Sequence, residues 1–188
     1  MLTHKGTQTI ETNRLILRRF VAEDAGAMFR NWANDSEVCR FMTWQPHGEI
    51  ENTRILLDKW IAEYINDYCY HWAIISKDIM EPIGSVGVNH IDSKAMWCEM
   101  GYCISRTYWN TGVMTEAVKA VLDYLFREIG FNRIQAKHHA DNPASGRVMQ
   151  KSGMTYEGTL RKASYTDALG LYDCKLYSIL RDEYGLEV

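Results

Sequence analysis

No apolar run in the 188-residue chain approaches the ~18 residues that a membrane-crossing helix needs. The N-terminus, MLTHKGTQTIETNRLI, lacks the positive-then-apolar pattern of a secretory signal. Both absences lead us to expect a cytoplasmic protein with no membrane partner. The five cysteines (Cys39, Cys69, Cys98, Cys103, Cys174) include no Cys-x-x-Cys pair and are odd in number. Neither a disulfide framework nor a metal site is therefore expected, and buried reduced thiols are the simpler reading. Basic excess is missing as well. A formal net charge of −3 argues against a nucleic-acid partner and mildly favours a cationic one. There is no repeat, low-complexity tract or Pro/Gly-rich linker, so residues 1–188 read as one domain. Finally, neither G-x-G-x-x-G nor G-x-x-x-x-G-K-[ST] occurs, which excludes the two common nucleotide fingerprints.

What is present is a regular alternation of patterns. Residues 14–20 (RLILRRF) read as a strand, and Glu23-Asp24 open a helix to about Trp32. A loop, RFMTWQPHG, leads to helical spacing of Ile50, Ile55, Leu56, Trp60, Ile61 and Tyr64 over residues 49–67. Three strands follow at 71–76, 83–90 and 96–104, with turns short enough for antiparallel hairpins. Val113, Ala117, Val121 and Leu125 lie four apart in a helix over 112–129, and Gly130 stands where a helix-ending glycine belongs. Residues 132–139 alternate as a strand. Asn142 and Pro143 then start a helix that Gly153 closes. Strands at 154–160 and 171–180, joined by a polar connection at 166–170, end the chain. This order fits a mixed sheet flanked by helices.

Two segments carry chemistry. In ISRTYWNTGVMTEAV (104–118) a strand end, a glycine loop and a helix start converge, so unpaired N–H groups and a positive helix end point at one spot. A phosphate or pyrophosphate is the natural guest, although on local pattern alone Gly112 and Thr115 need do no more than begin a helix. The second, DNPASGRVMQKSGMTYEG (141–158), is complete as a capped helix by itself.

Together, at this spacing, the segments resemble the acetyl-CoA half of the GNAT superfamily. More closely, the chain is similar to the ribosomal-protein N-terminal acetyltransferase branch, the RimJ/RimL-like enzymes. The resemblance runs through ETNRLILRRF, EMGYCIS, YWNTGVMTEA, NPASGRVMQKSGMTYEGTLR and YDCKLYSILRDEY, in that order. It implies a GNAT fold: an α/β (α+β) domain with a mixed, mostly antiparallel sheet of six to seven strands and about four helices. It also implies acetyl-CoA as cosubstrate and a primary amine as acceptor. The acceptor expected first is a peptide or protein N-terminus; the alternatives are a small amine or a non-catalytic acyl-CoA-binding role. Homodimer formation rests on analogy alone.

The resemblance also implies roles for residues. The family's pyrophosphate loop, Arg/Gln-x-x-Gly-x-Gly/Ala, falls on 109–114, where Gly112 matches and Trp109 and Met114 depart. Backbone N–H groups of Thr111, Gly112, Val113, Met114 and Thr115 are therefore expected to hold the pyrophosphate. The strand over 100–105, which includes Cys103, Ile104 and Ser105, should pair with the pantetheine arm through its backbone, with Asn142 holding the pantetheine and Ser145 near the thioester sulfur. Met149 stands where many members carry a proton-donating tyrosine, which leaves that role to Ser145. Ser164 stands where some members carry a basic glutamate, which leaves Glu99. Phe41 and Trp44, in the loop between the first helices, fall where the family builds its acceptor pocket.

Overall fold

A computed structural model describes residues 1–167 and 169–186. Residue 168, inside the connection expected at 166–170, and residues 187–188 lie outside the described residues. The strands are β1 (Ile10–Glu11), β2 (Leu15–Arg18), β3 (His71–Ser76), β4 (Glu81–Asp92), β5 (Trp97–Ile104), β6 (Arg133–His139), β7 (Thr155–Thr166) and β8 (Gly170–Leu180). They form one sheet in the order β1-β2-β3-β4-β5-β6-β8-β7. Every described pairing is antiparallel except β5 with β6. The helices are α1 (Ala25–Met28, continued as a wider turn over Phe29–Ala33), α2 (Ser36–Cys39), α3 (Ile50–Glu63), α4 (Val113–Tyr124, likewise continued over Leu125–Ile129) and α5 (Pro143–Lys151).

Among the described residues the sheet has eight strands where six to seven are expected, and five helices flank it where about four are expected. Both additions are too short to show a period. β1 is two residues long, and α2 is one turn inside the expected loop, begun by Asp35, whose side chain accepts from the Glu37 N–H. The longer elements follow the sequence pattern. Ala117, Val121 and Leu122 of α4 are fully buried against Trp72, Val86, Cys98 and Ala136 on one face of the sheet. Burial of one such aliphatic side chain stabilises the fold by about 1.5–3 kcal/mol. Gly130 and Gly153 both take the left-handed conformation that ends a helix. On the opposite face Phe20, Met28, Trp32 and Leu57 from α1, α3 and their flanks pack on Ala73 and Ile75. The two helix layers therefore face opposite sides of β3–β5, and each side presents a different functional surface.

Candidate active site

The one parallel pairing among the described strands is also incomplete. β5 and β6 are in register from Trp97↔Arg133 to Met100↔Ala136 and no further. Beyond that point each keeps its other neighbour: β5 stays with β4 to Gly84↔Ile104, and β6 stays with β8 to His139↔Cys174. The strands part and leave a wedge in the sheet. The β5 peptide groups that β6 no longer meets need partners, which an extended ligand can supply.

The turn after β5 supplies a second binding feature. Asn110 has φ +62° and Gly112 φ +80°, so the chain twice enters the left-handed region just before α4. Such a turn makes a concavity of N–H groups, and the first turn of α4 adds its own, with no side chain capping them. Val113 and Met114 are buried and anchor the helix, while Thr111 and Gly112 are exposed. The Trp109 indole N–H donates to the Ile104 carbonyl at 3.2 Å, and the Thr111 hydroxyl to the Tyr108 carbonyl at 2.7 Å.

A clamp from the opposite end of the sequence steadies this turn. Arg14 Nε lies 2.7 Å from Glu116 Oε2 in α4, and Arg14 Nη1 donates to the Thr111 carbonyl at 3.1 Å. The Thr12 hydroxyl and the Arg14 N–H both donate to Glu116 Oε1. Nothing in the sequence pattern couples residues 14 and 116. Arg14→Ala is expected to weaken CoA binding about threefold to tenfold, or about 1 kcal/mol after solvent screening of a partly exposed pair. Titration calorimetry checks this; unchanged affinity would make the clamp structural only.

Helix α5 closes the wedge from the β6 side. Asn142 Oδ1 accepts from the Ser145 N–H at 3.3 Å, and Pro143 occupies the first turn. The Ser145 hydroxyl donates to the Tyr102 hydroxyl at 3.1 Å, and the Tyr102 hydroxyl donates to the Ser145 carbonyl at 2.9 Å. Tyr102 thus joins β5 to α5 just beyond the last β5–β6 pair. Burial raises its phenol pKa, so it keeps its proton throughout the working range. Met149 is buried in the core and points no polar atom into the wedge.

On the other face lies a cleft of about 670 Å³, bounded by β3–β5, α3 and the loop before it. Trp44 lines it; Phe41 stands outside, its ring 5.0 Å from that of His139. Gly101, Tyr102 and Cys103 form its end nearest the wedge. Glu99 is two residues earlier on β5, with Oε1 3.0 Å from Lys137 Nζ and Oε2 accepting from Gln135 at 3.0 Å. His71 also lines the cleft, its ring 4.1 Å from that of Trp60; burial holds its imidazole down at about 4, so it is neutral. Asn89 is the extra residue of a β-bulge, where Val88↔Met100 is followed by His90↔Glu99, and its amide lies over Gly101. Sequence reasoning missed Arg14, His71 and Asn89, and took Tyr102 only as part of the strand over 100–105, without its side-chain contact to Ser145. A period-2 reading of 96–104 could have placed Tyr102 on its face, but not beside Ser145.

A partly opened β5–β6 pair and an uncapped helix start at its mouth suit a ligand with an extended arm and an anionic group, and a cleft lies on the far side. Residues 14–155 match the acetyltransferase (GNAT) domain, and the chain belongs to that family. Its members use acetyl-CoA as cosubstrate, and the chain is an N-acetyltransferase. It is 34% identical over 172 residues to YoaA of Bacillus subtilis, described as an uncharacterized N-acetyltransferase, covering 92% of this chain and 96% of that one. It is 25% identical over 154 residues to the ribosomal-protein-serine acetyltransferase of Escherichia coli, covering 77% and 84%. Among solved structures, a GNAT-family acetyltransferase of Bacillus anthracis superposes with a TM-score of 0.81 at 27% identity, covering 93% of this chain and 99% of that one. No helix among the described residues is long and apolar enough to cross a membrane.

Proposed function

We propose that this chain, acting as one catalytic domain, moves the acetyl group of acetyl-CoA to the α-amino group of a peptide or protein N-terminus, by direct attack in a ternary complex. The observation that carries the reading is the parting of β5 from β6 beside the α4 and α5 starts. The ribosomal-protein enzyme among the relatives supports the peptide acceptor. A small amine is the second reading, favoured by the compact aromatic cleft.

The pyrophosphate lies on the N–H groups of Thr111 to Thr115, where the helix end favours negative charge. The pantetheine runs along Cys103, Ile104 and Ser105, with the Asn142 side-chain amide opposite. The amine enters from the cleft past Trp44, and Phe41 borders a longer acceptor from outside. The amine nitrogen attacks the thioester carbon, and a β5 N–H near Gly101–Cys103 receives the developing oxyanion. As the C–N bond forms, the amine proton passes through a water to Glu99, whose two oxygens Lys137 and Gln135 already orient. As the C–S bond breaks, the Ser145 hydroxyl gives its proton to the departing thiolate and takes one back from solvent, so that CoA leaves as the thiol. No metal takes part. The free cysteines suit a reducing compartment such as the cytoplasm, where acetyl-CoA is available.

Acetyl-CoA and CoA should raise the melting temperature, while NAD and ATP at equal concentration should not. Equal stabilisation by ATP would sink the phosphate-loop assignment. Thiol release with a panel of peptide amides and small amines then decides the acceptor.

A further inference from the structure

Past the last β5–β6 pair, Met100↔Ala136, the next residues are Gly101 on β5 and Lys137 on β6. Both lie on the face of Glu99 and its partner Gln135, because alternate residues of a strand share a face. Gly101 gives up its side-chain space to the Asn89 amide, whose Nδ2 is 2.6 Å from where a Cβ would stand. Lys137 reaches back along the mouth of the wedge to Glu99, Nζ to Oε1 at 3.0 Å. Three polar side chains, Glu99, Lys137 and Asn89, therefore gather where Gly101 joins the end of the cleft to the wedge.

Their hydrogen bonds are unequally filled. Gln135 and Lys137 take one oxygen each of Glu99, whose side chain is 16% exposed. The Lys137 side chain is 40% exposed, and among the described residues Glu99 is its one hydrogen-bonding partner. Two of its three N–H donors are left over. The Asn89 amide makes no hydrogen bond among the described residues. Glu99 is thus the fixed member and Lys137 the movable one. Other charges nearby are engaged or distant. Arg133 is held by Glu157 at 2.6 Å, His90 of β4 lies against Trp97, and Glu63 lines the cleft from the end of α3. An ion pair this exposed adds little to folding stability. At the reacting amine it has a consequence: the ammonium sits on the Glu99 oxygen that faces the wedge.

We propose that Lys137 is a specificity-determining residue that binds a carboxylate carried by the acceptor beside its reacting amine. That carboxylate draws the ammonium off Glu99 and leaves Oε1 open to the water that carries the amine's proton, while the Asn89 amide takes a neighbouring carbonyl. This rests on the acetyltransferase reading above and adds the acceptor's acidic group to it. Two sources share the chemistry: the α-carboxylate of a free amino acid, and the side-chain carboxylate of a peptide's first residue.

The test measures kcat/KM for aspartyl against asparaginyl peptide amides and for free alanine against alaninamide, with lysyl peptide amides alongside. Values are expressed per unprotonated amine, because a nearby carboxylate raises the amine's own pKa. In one of the two pairs the acidic acceptor should win about tenfold, the scale of a charge-assisted hydrogen bond. The pair that shows it identifies the source. Lys137→Met should bring the ratio to about one, and Lys137→Arg should largely keep it. Lys137→Glu should invert it and favour the lysyl peptide. Because each reading is a ratio, a loss of rate common to both acceptors cancels, and CoA titration confirms that each variant is folded. Ratios near one in the wild type, or a ratio that survives Lys137→Met, overturn the proposal and leave the acetyltransferase reading intact. Binding of acetyl-CoA with no transfer to any amine overturns both.

Discussion

Gly112→Glu is expected to reduce CoA binding at least a hundredfold while the domain still folds. The backbone there has φ +80°, a conformation that costs an L-residue about 1–2 kcal/mol. That is small beside a typical domain stability of about 5–15 kcal/mol. The space is also open: a Cβ would meet only Arg14 Nη2, at an ordinary 3.7 Å. A glutamate can even pair with that guanidinium, which favours the folded variant. The ligand side is different, because the carboxylate would stand where the pyrophosphate meets the uncapped α4 start. Gly112→Asn, which tolerates the left-handed region, separates backbone strain from charge and should lose far less affinity. Circular dichroism should match wild type for both. Normal CoA binding by the glutamate variant would mean that the phosphate loop has been assigned to the wrong turn.

That prediction could be framed from the sequence because Gly112 belongs to a local signal. The same holds for the long amphipathic α4, the Asn142-Pro143 start of α5 and the helix-ending Gly130 and Gly153. Each is decided within a few residues by capping, period or φ preference. Boundaries were less legible: β7 runs to Thr166, beyond the expected residue 160, because its side chains are mostly exposed and lack a period. The divergence of β5 from β6 left no trace at all. It depends on which strands meet after folding, and residues 100 and 136 are joined only by the sheet. The clamp of Arg14 on Glu116, the Asn89 amide over Gly101 and the meeting of Tyr102 with Ser145 are non-local in the same sense. The segments expected to hold the cofactor are loop and helix starts, which local sequence patterns reveal. The cleft on the far face is built from cross-strand neighbours, which only the register brings together.

The meeting of Tyr102 with Ser145 changes what the proton-handling variants should show. Glu99→Gln should depress kcat/KM most at low pH, where the acceptor amine carries a proton that must be removed. For an α-amino group with a pKa near 8, the loss should shrink as pH passes that value and the amine deprotonates unaided. Ser145→Ala should show a different signature. A donor to the departing thiolate matters less above the thiol's pKa, about 8.5 for a cysteine-like group, and less with an acyl donor whose thiol is more acidic. Each role is worth roughly 10²–10⁴-fold when fully used. The low end is expected here, because a thioester and an α-amine need little assistance. Since the Ser145 hydroxyl donates to Tyr102, and the Tyr102 phenol keeps its proton, Tyr102→Phe should reproduce much of the Ser145→Ala loss if the two hydroxyls act as a relay. The double variant should then be little worse than either single one. Additive losses would separate the two residues, leaving Tyr102 to position Ser145 through its carbonyl. CoA affinity must be measured in parallel, because Tyr102 also ties β5 to α5 across the wedge. A Glu99→Gln enzyme with the wild-type pH profile would leave that carboxylate only as the partner of Lys137 and Gln135, with solvent taking the amine's proton.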